Sequence, residues 1–270
     1  MNHLQIIILV TNIDLQDIII AHLENIGYDG FEQDEQKIKA YILENDFNDL
    51  ELTQLLKPYN LLFTKNIILK QNWNELWESN FQPVTVDNFV GIRAHFHQPL
   101  KNVKHEIIIT PKMSFGTGHH ATTFQVMQLM EFINFENKTV FDFGTGTGIL
   151  AILAEKLGAS SVYAIDNDDW CIENATENIV QNHCTKITIS KAEDATTQQN
   201  FDVVLANINK NIIQANFELL HNNCKNETQV ILSGLLIEDE KDIISLANNK
   251  YWKHLKTVKK DAWIAMMFQL

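Results

Sequence analysis

The segment FDFGTGTGIL, Phe141 to Leu150, sets glycines at 144, 146 and 148 directly behind a β-like run and directly ahead of a helix-like one. Glycines there let the chain turn tightly and let a ligand approach the backbone with no Cβ in the way. A dinucleotide fingerprint would read G-x-G-x-x-G, but Ile149 stands where its third glycine belongs and Gly148 comes one position early, which argues against NAD. The next β-like run, SVYAID, ends in Asp166, 22 residues beyond Gly144. A carboxylate at that place can accept both hydroxyls of a ribose lying across the sheet edge. The two features together point to a nucleoside-bearing ligand. If the strand TVFDF is central, Gly146 lies where the strand order reverses, the usual ligand crevice of a doubly wound sheet.

Two histidine pairs, His95 with His97 and His119 with His120, invite a metal reading. No acidic or cysteine ligand is spaced to complete such a site, so no metal is expected. Cys171, Cys184 and Cys224 are an odd number without C-x-x-C spacing, which suggests neither a disulfide framework nor a thiolate zinc site.

These residues need elements to hold them. The first 70 residues read as β-α-β-β-α-β, from HLQIIILV through an amphipathic stretch with Leu15, Ile18, Ile19, Leu23 and Ile26 to LLFTKNIIL, with Asp46 as the expected cap of the second helix. That order predicts a small α+β split-βαβ domain over residues 1–70. Residues 71–105 read as a connector, in which Trp73 and Trp77 share a helix face and cement an interdomain contact. From residue 106 to 270 short β-branched runs alternate with longer helical ones, beginning with HEIIIT, which predicts an α/β domain with a parallel sheet covered by helices on both faces. The tail YWKHLKTVKKDAWIAMMFQL leaves no room for a crossover helix and reads as an antiparallel hairpin.

At 270 residues, with 45% hydrophobic and 20% charged residues, the chain can bury a substantial core. No apolar run approaches the roughly 20 residues of a membrane span, and the start lacks a basic segment and a small-residue cleavage site, so the expected location is the cytoplasm. The net charge of −13 argues against direct nucleic-acid binding and favours a basic partner. Residues 1–58 carry eleven Asp and Glu against three Lys, a local charge of −8.

DFGTGTGILAI followed by VYAID resembles motif I and its acidic successor in the S-adenosyl-L-methionine-dependent methyltransferases with a Rossmann-like seven-stranded sheet. More narrowly, MSFGTGHHATT, VVLANINKNII and LSGLL resemble the methyltransferases that modify the eleventh protein of the large ribosomal subunit. The likeness fades in the first 60 residues. It also departs from the family pattern F-G-T-G-T-H-P-T-T, since His119, His120 and Ala121 follow Gly118, and Thr145 stands where a cysteine is common.

The resemblance implies S-adenosyl-L-methionine as cofactor and maps its contacts onto Thr123, Gly144, Gly146, Asp166 and Asn207. A hydroxyl and amides at the start of a helix suit a carboxylate, which fits Thr123. Asn207 ends the run FDVVLAN, where its amide can hold the amino-acid end or accept from an incoming amine, the one catalytic role assigned. Phe115, Gly116 and Gly118 read as a mobile flap with an aromatic ring over the sulfonium region. Asp194 is a candidate for the adenine amino group, and Asp142 for organising the turn. The implied activity is methylation of lysine and N-terminal amines of that basic ribosomal protein, the partner recognised by the acidic N-terminal domain. Arginine methyltransferases would want a glutamate pair after the fourth strand, and DNA or glutamine methyltransferases N-P-P-Y; LANINKN offers neither. Methylation of another basic protein and a non-catalytic cofactor-binding or ribosome-assembly role remain as alternatives.

Overall fold

A computed structural model describes residues 3–68, 81–112 and 114–270. Trp73, Trp77 and the first ten residues of the expected connector lie outside them. The chain divides into two units, Met1–Asn80 and Phe81–Leu270. Residues 81–105, expected as connector, therefore belong to the second unit.

The first unit runs β1 (His3–Leu9), α1 (Ile13–Asn25), β2 (Gly30–Gln33), β3 (Lys37–Leu43), α2 (Asp49–Leu56) and β4 (Phe63–Ile68). Its strands order as β2-β3-β1-β4, every neighbour antiparallel, so β3 splits the parallel pair β1 and β2. Period-two alternation explains the packing: Leu4, Ile6 and Ile8 of β1 and Ile38, Ala40 and Ile42 of β3 are buried against Ile19, Leu23, Leu52 and Leu56 of the two helices. Each buried leucine or isoleucine among them contributes about 1.5–3 kcal/mol. The cap of α2 is Asn48, whose side chain accepts from the amides of Leu50 and Glu51. Asp46 instead closes a turn through its amide to the Leu43 carbonyl. Both residue types cap well, and the helix begins two residues later than the hydrophobic pattern suggested.

In the second unit β5 (Val84–Val86), β6 (Val90–Ala94) and β7 (His105–Ile109) form a separate three-stranded sheet. The run HEIIIT thus does not open the large sheet. The remaining elements are α3 (Ala121–Met130), β8 (Thr139–Phe143), α4 (Ile149–Lys156), β9 (Ser161–Asp166), α5 (Asp169–Gln181), β10 (Ile187–Lys191), β11 (Phe201–Asn207), α6 (Lys210–Asn222), β12 (Cys224–Leu236), α7 (Glu240–Asn249), β13 (Lys253–Lys260) and β14 (Trp263–Gln269). An amide ladder along α5 and its C-cap holds the free edge of β7. Asn182 accepts from the Ile108 amide and donates to the Ile108 carbonyl, and Asn178 accepts from the Thr110 amide. Asn174 donates to the Thr110 carbonyl. Three asparagines spaced four apart lie on one helix face, so the helix replaces a neighbouring strand.

The large sheet orders β10-β9-β8-β11-β12-β14-β13, with β14 antiparallel to both neighbours. One face packs Val140, Leu205 and Ile231 against α3 and α4, and the other packs Phe141, Val204 and Val230 against α6 and α7. The seven strands and both helical layers agree with the expected fold. β8 pairs with β9 on one side and β11 on the other, so the order reverses at the end of β8. A crevice forms there between diverging connections.

Candidate active site

The turn after β8 is built from backbone. The Ile165 carbonyl accepts from the amides of Gly144 and Thr145, each at 2.9 Å, and the Gly148 amide closes on the Thr145 carbonyl. Gly146 has φ +56°, and a Cβ placed there would lie 2.3 Å from the Phe115 carbonyl oxygen. Only glycine fits this close approach. The Gly146 amide donates to Asp166 Oδ2 at 2.9 Å, while Asp166 Oδ1 accepts from the Asp168 amide at 3.1 Å. One carboxylate thereby links the ends of β8 and β9.

A cavity of about 530 Å³ opens at this point. Phe115, Gly144, Gly146, Asp166 and Asn207 line it. Thr123 and Gly116 stand one step behind. Thr123 is wholly buried and its hydroxyl accepts from Asn207 Nδ2 at 3.2 Å, while the neighbouring Thr122 faces the cavity. Asn207 Oδ1 is buried with no partner among the described residues, an acceptor left open. The Gly116 carbonyl accepts from the Thr147 hydroxyl at 2.6 Å, and the Phe115 carbonyl accepts from the Thr147 amide at 3.0 Å. The expected flap is thus stitched to the glycine turn through its backbone, and the Phe115 ring is half exposed. Asp194 is exposed and holds the Thr196 amide; Ala192 and Glu193 line the cavity instead.

Sequence reasoning missed the part of the cavity wall that His120 and Trp263 build. His120 Nδ1 accepts from the Thr122 amide and so caps α3. Its ring meets Phe115 at 5.2 Å and Trp263 at 4.9 Å between centroids, both edge-on. Gln125 of α3 donates to the carbonyls of Val258 and Trp263, fixing the tail hairpin so that Trp263 reaches the cavity. Gly234 has φ +82°, and a Cβ there would sit 2.3 Å from the Ile208 carbonyl oxygen, so the strand passes directly beneath the loop after β11. A lone glycine inside the run VILSGLL was the available signal for that approach.

The electrostatics are one-sided. Asp166, Asp168 and Glu193 line the cavity, and no lysine or arginine among the described residues does. Burial, reinforced by the Asp166 charge, pushes the Cys171 thiol up, so this cavity-lining cysteine stays protonated. Among the described residues no group of three or more His, Cys, Asp or Glu is placed to hold a metal. His119 bonds the Gln82 carbonyl and His97 accepts from the Ala94 amide.

The arrangement matches a known family. The family model described as ribosomal protein L11 methyltransferase (PrmA) matches residues 10–270. The chain belongs to that family. Among relatives named ribosomal protein L11 methyltransferase, that of Chlorobaculum tepidum is 36% identical over 281 residues, covering 99% of this chain and 96% of the relative. That of Porphyromonas gingivalis is 37% identical over 261 residues, covering 93% and 90%. The crystal structure of a ribosomal protein L11 methylase from Lactobacillus delbrueckii subsp. bulgaricus superposes with a TM-score of 0.65 at 29% identity, covering 70% of this chain and 98% of that one. The L11 methyltransferase match spans both the acidic first unit and the cavity-bearing second one, so the resemblance seen in the motifs extends over nearly the whole chain.

Proposed function

We propose that this protein is a cytoplasmic methyltransferase that moves methyl groups from S-adenosyl-L-methionine to lysine and N-terminal amines of ribosomal protein L11. The observation that carries the reading is the lining of one cavity by the glycine turn, Asp166 and Asn207 together, within a chain of the L11 methyltransferase family. The residues present fit the cofactor. The backbone of Gly144 and Gly146 faces the cavity and leaves room for a flat group, Asp166 offers carboxylate oxygens to vicinal hydroxyls, and the open Asn207 Oδ1 is an acceptor for an ammonium. The carboxylate-rich lining suits a cationic ligand.

When bound, the cofactor would supply an electrophilic methyl on sulfur, open to in-line attack by an uncharged amine with S-adenosylhomocysteine as the leaving group. The chain supplies position. Gly144, Gly146 and Asp166 hold the nucleoside end, and Asn207, braced by Thr123, orients the groups at the centre. Phe115, His120 and Trp263 form an aromatic wall that receives the incoming amine, keeps bulk water away and tolerates a cation on its ring faces. With Nδ1 accepting from the Thr122 amide, His120 presents its Nε2–H as a donor. The first unit, with its surplus of carboxylates, draws in the basic substrate.

Mass spectrometry of purified L11 after incubation with the protein and S-adenosyl-L-methionine tests the reading. Mass gains in steps of one methyl, absent with Asp166→Ala, are expected. No gain while the cofactor binds would move the reading to another basic protein or to the non-catalytic role.

A further inference from the structure

The proposed reaction leaves one carboxyl of the site without a task. Asp142, the penultimate residue of β8, is fully buried on the face that packs against α4. Its Oδ2 accepts from the Thr145 hydroxyl at 2.6 Å, and its Oδ1 is buried without a hydrogen-bond partner among the described residues. The glycine turn therefore runs between two carboxyls, Asp142 beneath it and Asp166 bonded to its Gly146 amide.

The groups facing Asp142 do not neutralise it. Its register neighbours are Ala164 of β9 and Leu205 of β11, both uncharged. From α4 the Ala151 backbone N–H bears on it and, like the Thr145 hydroxyl, favours the ionised form, while the charged group that bears on it is Asp166, of like sign. An ionised carboxylate so placed lacks a counterion, and the cavity lining adds Asp168 and Glu193 to Asp166 and no lysine or arginine among the described residues.

We propose that Asp142 is a positioning residue whose ionisation is coupled to the ligand: it carries a proton in the free protein and releases it to solvent when a sulfonium or ammonium group is held against the glycine turn. The inference rests on the reading that the cavity takes S-adenosyl-L-methionine. The exchange balances, since one proton leaves the carboxyl as one cation arrives above it, and the Thr145 hydroxyl donates to Oδ2 in either state. Burial foremost, opposed by the Thr145 hydroxyl and reinforced by Asp166, pushes the Asp142 carboxyl up to about 7. Near neutrality the free protein then holds both the protonated and the ionised form.

Calorimetry of S-adenosyl-L-methionine binding at pH 7, in phosphate and in Tris, measures the proton released. The wild type should release about half a proton more than Asp142→Asn, which keeps an acceptor for Thr145. Wild-type affinity should also weaken about tenfold from pH 8 to pH 6 relative to the variant, a comparison that cancels the ligand's own ammonium titration. Equal proton release from two proteins that both bind would overturn the inference while leaving the cofactor reading intact. Absence of binding heat in the wild type would remove the reading and the inference together. If Asp142→Asn does not fold, Thr145→Val serves: losing the opposing hydroxyl should increase proton release at pH 8, and unchanged release would again overturn the inference.

Discussion

The two ends of the cavity are made differently. At the glycine end, positions are set through the turn's own main-chain amides: the Ile165 and Phe115 carbonyls and Asp166 Oδ2 accept from them at 2.9–3.0 Å, and nothing larger than hydrogen fits at Gly146. At the aromatic end, positions are set by side chains from distant elements, with His120 at the start of α3 and Trp263 at the start of β14. A backbone-built end suits the invariant part of a reaction, the cofactor. A side-chain-built end can be reshaped to suit a particular acceptor.

Changes at each end should separate these roles. Gly146→Ala has the largest effect, because the new methyl meets the Phe115 carbonyl at 2.3 Å in a left-handed backbone conformation. We expect on the order of 3 kcal/mol lost in urea unfolding and no measurable cofactor binding. Asp166→Asn comes next, lowering cofactor affinity by about tenfold to a hundredfold in calorimetry, with little change in melting temperature. Gln125→Leu acts at the other end: it frees the Val258 and Trp263 carbonyls, so kcat/KM on L11 should fall about tenfold while cofactor affinity holds within about twofold. Smallest is the effect of salt. Raising sodium chloride from about 50 to 500 mM should weaken L11 binding several-fold and cofactor binding less, and equal slopes would remove the electrostatic role of the −8 segment.

The glycine end was legible because it is local. Ten consecutive residues and one strand-terminal acid describe it, and strand rhythm was enough to place both on a doubly wound sheet. The N-terminal unit was legible for a similar reason, since alternation in HLQIIIL and KIKAYIL marks a half-buried sheet. What failed depends on long-range contacts. HEIIIT looks like any sheet strand, and its separate sheet follows from asparagines on α5 about 70 residues away. Trp263 enters the cavity because Gln125, 138 residues earlier, holds its carbonyl, a pairing that periodicity does not reveal. Helix phase, which residue type alone does not reveal, turns Thr123 inward to brace Asn207 and presents Thr122 to the cavity.

The division of labour is tested most directly by Trp263→Ala, assayed for S-adenosylhomocysteine affinity by calorimetry and for methyl transfer to L11 by mass spectrometry. The account predicts affinity within about threefold of wild type and transfer reduced at least about tenfold. Loss of S-adenosylhomocysteine affinity as large as the loss of transfer would contradict it, because the aromatic wall would then belong to the cofactor and not to the acceptor.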